Sequence, residues 1–197
     1  MFTCAFKTNQ QGFKMNLTKI NEDVVFIKSN VFNDSRGSFF ELYNKDFFDK
    51  HGINNNFIQD NISFSKNKNT IRGLHCQNGK TSQSKFLFLI SGSILDVFVD
   101  IKKDSPSFGE VFTLSLNELG DCLYIPKGYL HGFCTLESNT IVGYKVDNYY
   151  CKNDELGVIW DDTDLNIPWP FNEEPIISEK DSSLHSWSDF KLILSDQ

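Results

Sequence analysis

The chain has 197 residues, a formal net charge of −7, 40% hydrophobic content and 19 phenylalanines. That length and apolar content suit one well-cored domain and exclude disorder as a description of the whole chain. The acidic balance argues against a nucleic-acid surface, which needs a basic face, but a few local cations can still hold an anionic small molecule.

Residues 1–15 lack the continuous apolar core and small-residue cleavage site of a signal peptide and read as an N-terminal extension to a single domain over 16–197. From there, short segments rich in Val, Ile, Phe and Tyr follow one another. They lie at Val24–Ser29, Ser38–Tyr43, Asn61–Ser65, Ile71–Gln77, Lys85–Ser91, Ser93–Ile101, Val111–Leu116, Asp121–Ile125, His131–Leu136 and Thr140–Val146. Turn residues separate them at the spacing of an all-β sandwich or barrel. In Ser93–Ile101, Leu95, Val97, Val99 and Ile101 alternate with Ile94, Asp96, Phe98 and Asp100, which puts both aspartates on one face of a strand. One early stretch predicts a helix: Asn44 caps it, Asp46 suits its positive end, Phe47 and Phe48 give an apolar face, and Gly52 ends it. Residues 154–190 are more irregular, with Pro168, Pro170 and Pro175 breaking any long element. No apolar run reaches the length of a membrane span, so no membrane partner is expected. The five cysteines are odd in number and form no Cys-x-x-Cys pair, which fits a reducing, cytoplasmic compartment better than a disulfide framework.

The richest stretch chemically is Arg72-Gly73-Leu74-His75-Cys76-Gln77, where an imidazole lies near a guanidinium. Strand alternation puts His75 on a face with Gly73 and Gln77, small and polar rather than apolar. A strand histidine that merely satisfies a neighbour is the plain alternative. Lys85 heads the apolar run Phe86–Ile90; it is either a strand-edge gatekeeper or, pointing inward, a cation for an enolate oxygen. His131, after the Pro126-Lys127-Gly128 turn, is balanced between a backbone-bonded role and a site role. Tyr144 is either core or a general acid opposite His75, and Lys180-Asp181 by itself reads as a solvated pair. Two separated histidines on a β-barrel raise a metal reading, but with Gln at position 77 no third ligand is evident and no metal is expected. No nucleophile elbow, dinucleotide loop or Walker loop is present, and no cofactor is expected.

Taken in order, several motifs resemble the dTDP-4-dehydrorhamnose 3,5-epimerase family. They are Phe32–Glu41, Phe57–Asn61, Arg72–Gln77, Asp96–Asp100, Ser105–Gly109, Ile125–Phe133, Tyr144-Lys145, Ile167–Pro170 and Ser178–Asp181. The likeness runs from about Val24 to Asp181. It implies an all-β, cupin-like double-stranded β-helix (jelly-roll barrel) with a few short peripheral helices. It also implies a cofactor-independent inversion at carbons 3 and 5 of a nucleotide-linked 4-keto-6-deoxy sugar, in L-rhamnose-type deoxysugar synthesis for a surface polysaccharide such as an O-antigen. By family matching, His75 is the base, Asp181 orients and charges it, Tyr144 is the opposing acid, and Lys85 and Arg72 sit near the oxyanion or phosphates. Arg36, Phe39 and Glu41 match nucleotide-binding residues that a neighbouring subunit donates across a homodimer. Gln59, Asn61, His131, Tyr149, Glu155 and Lys180 match substrate contacts. Cys76 stands where members commonly carry an aromatic, and Asp161–Asp164 departs from the usual pattern. The alternatives are a mono-epimerase at carbon 3 or carbon 5 of another nucleotide sugar and an inactive cupin-like sugar-binding module.

Overall fold

In the computed structural model, which describes residues 15–171 and 173–195, two antiparallel sheets pack face to face. Thirteen strands are formed by the described residues: β1 (Met15–Lys19), β2 (Val25–Ser29), β3 (Phe32–Asp34), β4 (Gly37–Phe39), β5 (Gln59–Ser65), β6 (Ile71–Gln77), β7 (Lys85–Ser91), β8 (Ile94–Asp100), β9 (Val111–Leu116), β10 (Asp121–Ile125), β11 (Tyr129–Thr135), β12 (Thr140–Val146) and β13 (Glu155–Gly157). One sheet runs β1-β2-β10-β7-β12-β5, the other β13-β6-β11-β8-β9, and β3 and β4 form a separate hairpin. Sequence neighbours often lie in opposite sheets, as β6 and β7 do, which is the crossing pattern of a jelly roll. The cupin-like β-fold expected from the sequence is the one observed.

Alternation along each strand decides what the barrel encloses. Leu87 and Leu89 of β7, Leu123 and Ile125 of β10, Val142 of β12, Ile94 and Phe98 of β8 and Phe133 of β11 form the core between the sheets. Phe86 and Cys122 point the other way, into an outer cluster with Phe48 of helix α1 (Lys45–Lys50). Asn44 caps that helix as expected, its side-chain oxygen accepting from the Phe47 amide at 3.1 Å. Under the second sheet, Leu74, Val97, Val99 and Leu130 meet Val158, Ile167, Trp187, Phe190 and Leu194 from the C-terminal part of the chain. That segment therefore covers a sheet face that would otherwise lie bare.

Several boundaries differ from the sequence reading. The segment expected as Ser38–Tyr43 is strand only over Gly37–Phe39. Met15, placed in the extension, is the buried first residue of β1, and the rest of that extension, 1–14, lies outside the described residues. Irregularity across 154–190 gives way near its end to helix α2 (Trp187–Ser195). Ser186 starts it by accepting from the Asp189 amide at 3.1 Å. None of the described helices is long and apolar enough to cross a membrane.

Candidate active site

A cavity of about 530 Å³ opens between the sheets and is lined by Arg72, His75, Gln77 and Lys85, with His131, Tyr144, Tyr150, Glu155, Lys180 and Asp181 among the rest. Three side chains enter from inward-facing strand positions. Lys85 shares its face of β7 with the core residues Leu87 and Leu89, so it points inward rather than guarding an edge. Tyr144 packs against the same core from β12. His75 comes from β6, in the facing sheet, where it is paired in register with His131 of β11. Histidine and tyrosine thus stand on opposite walls of one cavity.

The close approach of β6 and β11 depends on glycine. Gly73 has φ +106, and a Cβ there would lie 2.6 Å from the His131 carbonyl oxygen. Any side chain would push apart the two strands that carry the histidines.

Two carboxylate–histidine pairs result. Asp181 Oδ1 lies 3.0 Å from His75 Nε2, and its Oδ2 accepts the Gly73 amide at 3.0 Å. Burial opposes ionisation of Asp181, but the bonds from His75, Gly73 and Ser178 outweigh it and hold its pKa below the usual value. The ionised carboxylate therefore accepts a hydrogen bond from His75 Nε2–H and leaves Nδ1 as the ring nitrogen free to face the cavity. Asp96 Oδ2 lies 2.8 Å from His131 Nε2, with both residues buried, and Asp96 Oδ1 has no hydrogen-bond partner among the described residues. Burial pushes His131 down against the pull of Asp96, and pushes Asp96 up against His131 and Lys85. A neutral His131 follows.

Desolvation also lowers Lys85, opposed by Cys76, Asp96 and Glu155, while its ammonium forms no ion pair among the described residues. Burial without a carboxylate partner disfavours its charged form, so an anion developing beside it in the cavity would draw Lys85 toward the ammonium. Desolvation raises Tyr144, with Arg72 pulling the other way, so its hydroxyl holds its proton at neutral pH. Cys76 is pushed up to about 12 by burial, which makes it a packing thiol rather than a nucleophile. Arg72 bonds Ser65 Oγ and the Phe64 carbonyl, at 3.2 and 2.9 Å. Lys180 pairs with Glu155 at 2.6 Å rather than being solvated with Asp181.

Not every residue named from the sequence meets the cavity. Tyr149 points outward with 65% of its surface exposed, and its neighbour Tyr150 lines the cavity instead, donating to Glu155 Oε2 at 2.8 Å. Adjacent tyrosines on one loop carry no alternation signal that would separate them. Gln59 and Asn61 bond each other at 2.9 Å on β5 and lie just outside the cavity wall, with Asn61 in register with Tyr144. Arg36 and Phe39 flank a different groove on the β3–β4 hairpin, where Arg36 is bound to Asp34, and the Glu41 side chain accepts from Asn44. Asp96, placed by alternation only on a strand face, joins Tyr150 among the residues that the sequence reading did not connect to the site.

Fold and cavity together define a cupin-like barrel enzyme of the proton-transferring kind. Residues 18–189 match the model of the family described as dTDP-4-dehydrorhamnose 3,5-epimerase. The chain is 42% identical over 163 residues to the dTDP-4-dehydrorhamnose 3,5-epimerase of Salmonella typhimurium, covering 82% of this chain and 88% of that protein. The crystal structure of the Bacillus anthracis dTDP-4-dehydrorhamnose 3,5-epimerase, with TDP and PPi bound, superposes with a TM-score of 0.85 at 42% identity, over 88% of this chain and 99% of that one. That of the Legionella pneumophila dTDP-6-deoxy-D-glucose-3,5-epimerase, in complex with dTDP-4-keto-L-rhamnose, gives 0.86 at 32% identity over 92% and 97%. The chain belongs to the dTDP-4-dehydrorhamnose 3,5-epimerase family and is an isomerase.

Proposed function

We propose that this protein inverts carbons 3 and 5 of dTDP-4-dehydro-6-deoxyglucose, giving dTDP-4-dehydrorhamnose, with the catalytic unit in residues 16–197. The observation that carries the reading is the placement of His75 and Tyr144 on facing sheets of one cavity, with Lys85 on the strand next to Tyr144's and lining the same cavity. The ketone at carbon 4 acidifies the hydrogens on carbons 3 and 5. His75, neutral and oriented by Asp181, removes one of them and becomes an imidazolium that the carboxylate stabilises, while the electron pair moves onto the ketone oxygen as an enolate. Lys85 meets that oxygen, and the developing anion favours its ammonium form against the cost of burial. Tyr144 then delivers a proton to the opposite face of the same carbon, which inverts it. Proton exchange with solvent resets both groups.

The nucleotide half of the substrate calls for cations and an aromatic. Arg72 and Lys180 serve the phosphates at the mouth, with His131, Glu155 and Tyr150 around the sugar and base. Arg36, Phe39 and Glu41 act in a second copy's cavity, so the working form is a homodimer. The cavity-lining part of β5 supports this: it is an edge strand with Ile62 and Phe64 exposed by 73% and 54%, and solvent-facing apolar edges are rarely left uncovered. The reaction belongs in the cytoplasm, where nucleotide sugars are made.

Incubating the protein with dTDP-4-dehydro-6-deoxyglucose in deuterium oxide and reading deuterium carbon by carbon tests the reading. Incorporation at carbons 3 and 5 is expected. Incorporation at one carbon would make the protein a mono-epimerase, and none at either would make it a sugar-binding module.

A further inference from the structure

The wall of the cavity that carries Tyr150 is not held by packing. Tyr149 and Tyr150 are 65% and 52% exposed, and no residue from 147 to 154 joins an apolar cluster among the described residues. Polar bonds hold this segment to the turn before β7. Asn148 Nδ2 donates to the Lys80 carbonyl and the Asn148 carbonyl accepts from Gln83, both at 2.8 Å. Asp154 accepts from the Thr81 hydroxyl at 2.8 Å and, through its carbonyl, from the Asn78 amide at 2.9 Å. At the start of the segment Asp147 accepts the amide of the buried Ser84 at 2.7 Å, and in its middle Gln77, only 8% exposed, accepts the Cys151 amide on its side-chain oxygen at 2.7 Å.

We propose that Gln77 is a positioning residue, a buried anchor that holds the 147–155 segment as a strap over the cavity mouth and so fixes Tyr150 against Glu155 and Lys180. The Asn148–Lys80 bond is exposed and water can replace it, whereas the Cys151 amide is partly buried and losing its acceptor leaves it poorly solvated. Within the middle of the strap, between the holds at Asp147 and Asp154, the Gln77 anchor sets how often Tyr150 swings away from the mouth. Gln77 lies two residues from His75 on the same strand face, so one strand carries both the base and the hold on the mouth. The strap sets affinity, because it shapes the mouth where substrate is gripped, and it leaves the proton transfers deeper in the cavity alone.

The inference rests on the epimerase reading, so its test needs a readout that does not depend on turnover. Amide exchange followed by NMR at Tyr149 and Asp154, neither bonded to Gln77, supplies one. Gln77→Leu should speed exchange at both amides by about three- to tenfold, the worth of one buried hydrogen bond. It should raise KM for dTDP-4-dehydro-6-deoxyglucose by a similar factor and change kcat less than about twofold. Thr81→Val, which loosens the same strap from outside the cavity, should move exchange and KM in the same direction. Unchanged exchange in both variants would overturn the anchor. A collapse of kcat at unchanged KM in Gln77→Leu would show instead that Gln77 acts on the sugar itself. A wild-type protein without epimerase activity would refute the functional reading, while the exchange rates would still decide for or against the strap.

Discussion

Replacing Asp181 with Asn keeps the shape of the pair with His75 and removes its charge. Asp181 is 8% exposed at its side chain and His75 24%, and the closest N···O distance is 3.0 Å. With charge centres about 4 Å apart and an effective dielectric near 20, the carboxylate attracts the positive charge that develops on the ring during proton transfer by roughly 4 kcal/mol. A neutral amide oxygen recovers about 1 kcal/mol of that as an ordinary hydrogen bond. The remaining loss of about 3 kcal/mol corresponds to a fall in kcat on the order of 10²-fold, since each 1.36 kcal/mol is tenfold. It falls on kcat because the imidazolium forms only as the proton leaves carbon. The fall would be larger if the amide turns its NH₂ toward His75 and enforces the wrong tautomer. The assay is steady-state turnover of dTDP-4-dehydro-6-deoxyglucose beside a thermal melt of the variant. A folded Asp181→Asn protein within about threefold of wild-type kcat would refute the dyad, because 3 kcal/mol cannot vanish from a retained geometry.

Further outcomes follow from the same site. Tyr144→Phe keeps the aromatic packing but deletes the transferable proton, so deuterium exchange at carbon 3 should survive better than inversion at carbon 5; equal loss at both carbons would mean a shared role, and unchanged product would leave Tyr144 as core. Because the folded pKa of Asp181 is depressed, its stabilisation is complete above the ordinary carboxylate value of about 3.9 and fades as pH falls through the folded value. The Tm gap between wild type and Asp181→Asn, followed by circular dichroism, should therefore narrow on acidification below about pH 4, and a gap that widened there would reverse the assigned sign. Exhaustive chelation should leave turnover intact, since the described residues hold no group of three or more His, Cys, Asp or Glu able to ligate a metal; activity lost to chelation and restored by one divalent ion would favour a metal-dependent cupin. Mixing Arg36→Ala with His75→Asn subunits should regenerate some complete sites if a neighbouring copy supplies Arg36, and demonstrated heterodimers with no recovered activity would show that each chain builds its own pocket.

Much of this architecture was legible before any coordinates. The strands Ile71–Gln77, Lys85–Ser91, Val111–Leu116, Asp121–Ile125 and Thr140–Val146 match the expected bounds, because their β-branched and aromatic runs end at turn residues. The β13 strand was not legible: its three residues exist as a strand only through pairing with β6, a long-range contact without a local signature. Helix α2 did carry a signal. Ser186 with Asp189 three residues on, and Trp187, Phe190 and Leu194 at helical spacing, follow the last of the prolines that dominated the reading of 154–190. At the site, residue type singled out His75, Lys85 and Tyr144, but type alone could not say that all three point inward. Partnerships such as Asp96 with His131, or Glu155 with Lys180, depend on which strands and loops meet across the barrel. Local sequence does not encode that choice.

The central claim is that one histidine draws protons from the carbons beside the ketone, and the most direct measurement compares wild type with His75→Asn in deuterium oxide. Wild type should place deuterium at carbons 3 and 5 of the nucleotide sugar. The folded variant should lose exchange at both by roughly 10²–10⁴-fold, the usual worth of a positioned general base. Near-normal exchange in a well-folded His75→Asn protein would contradict the account.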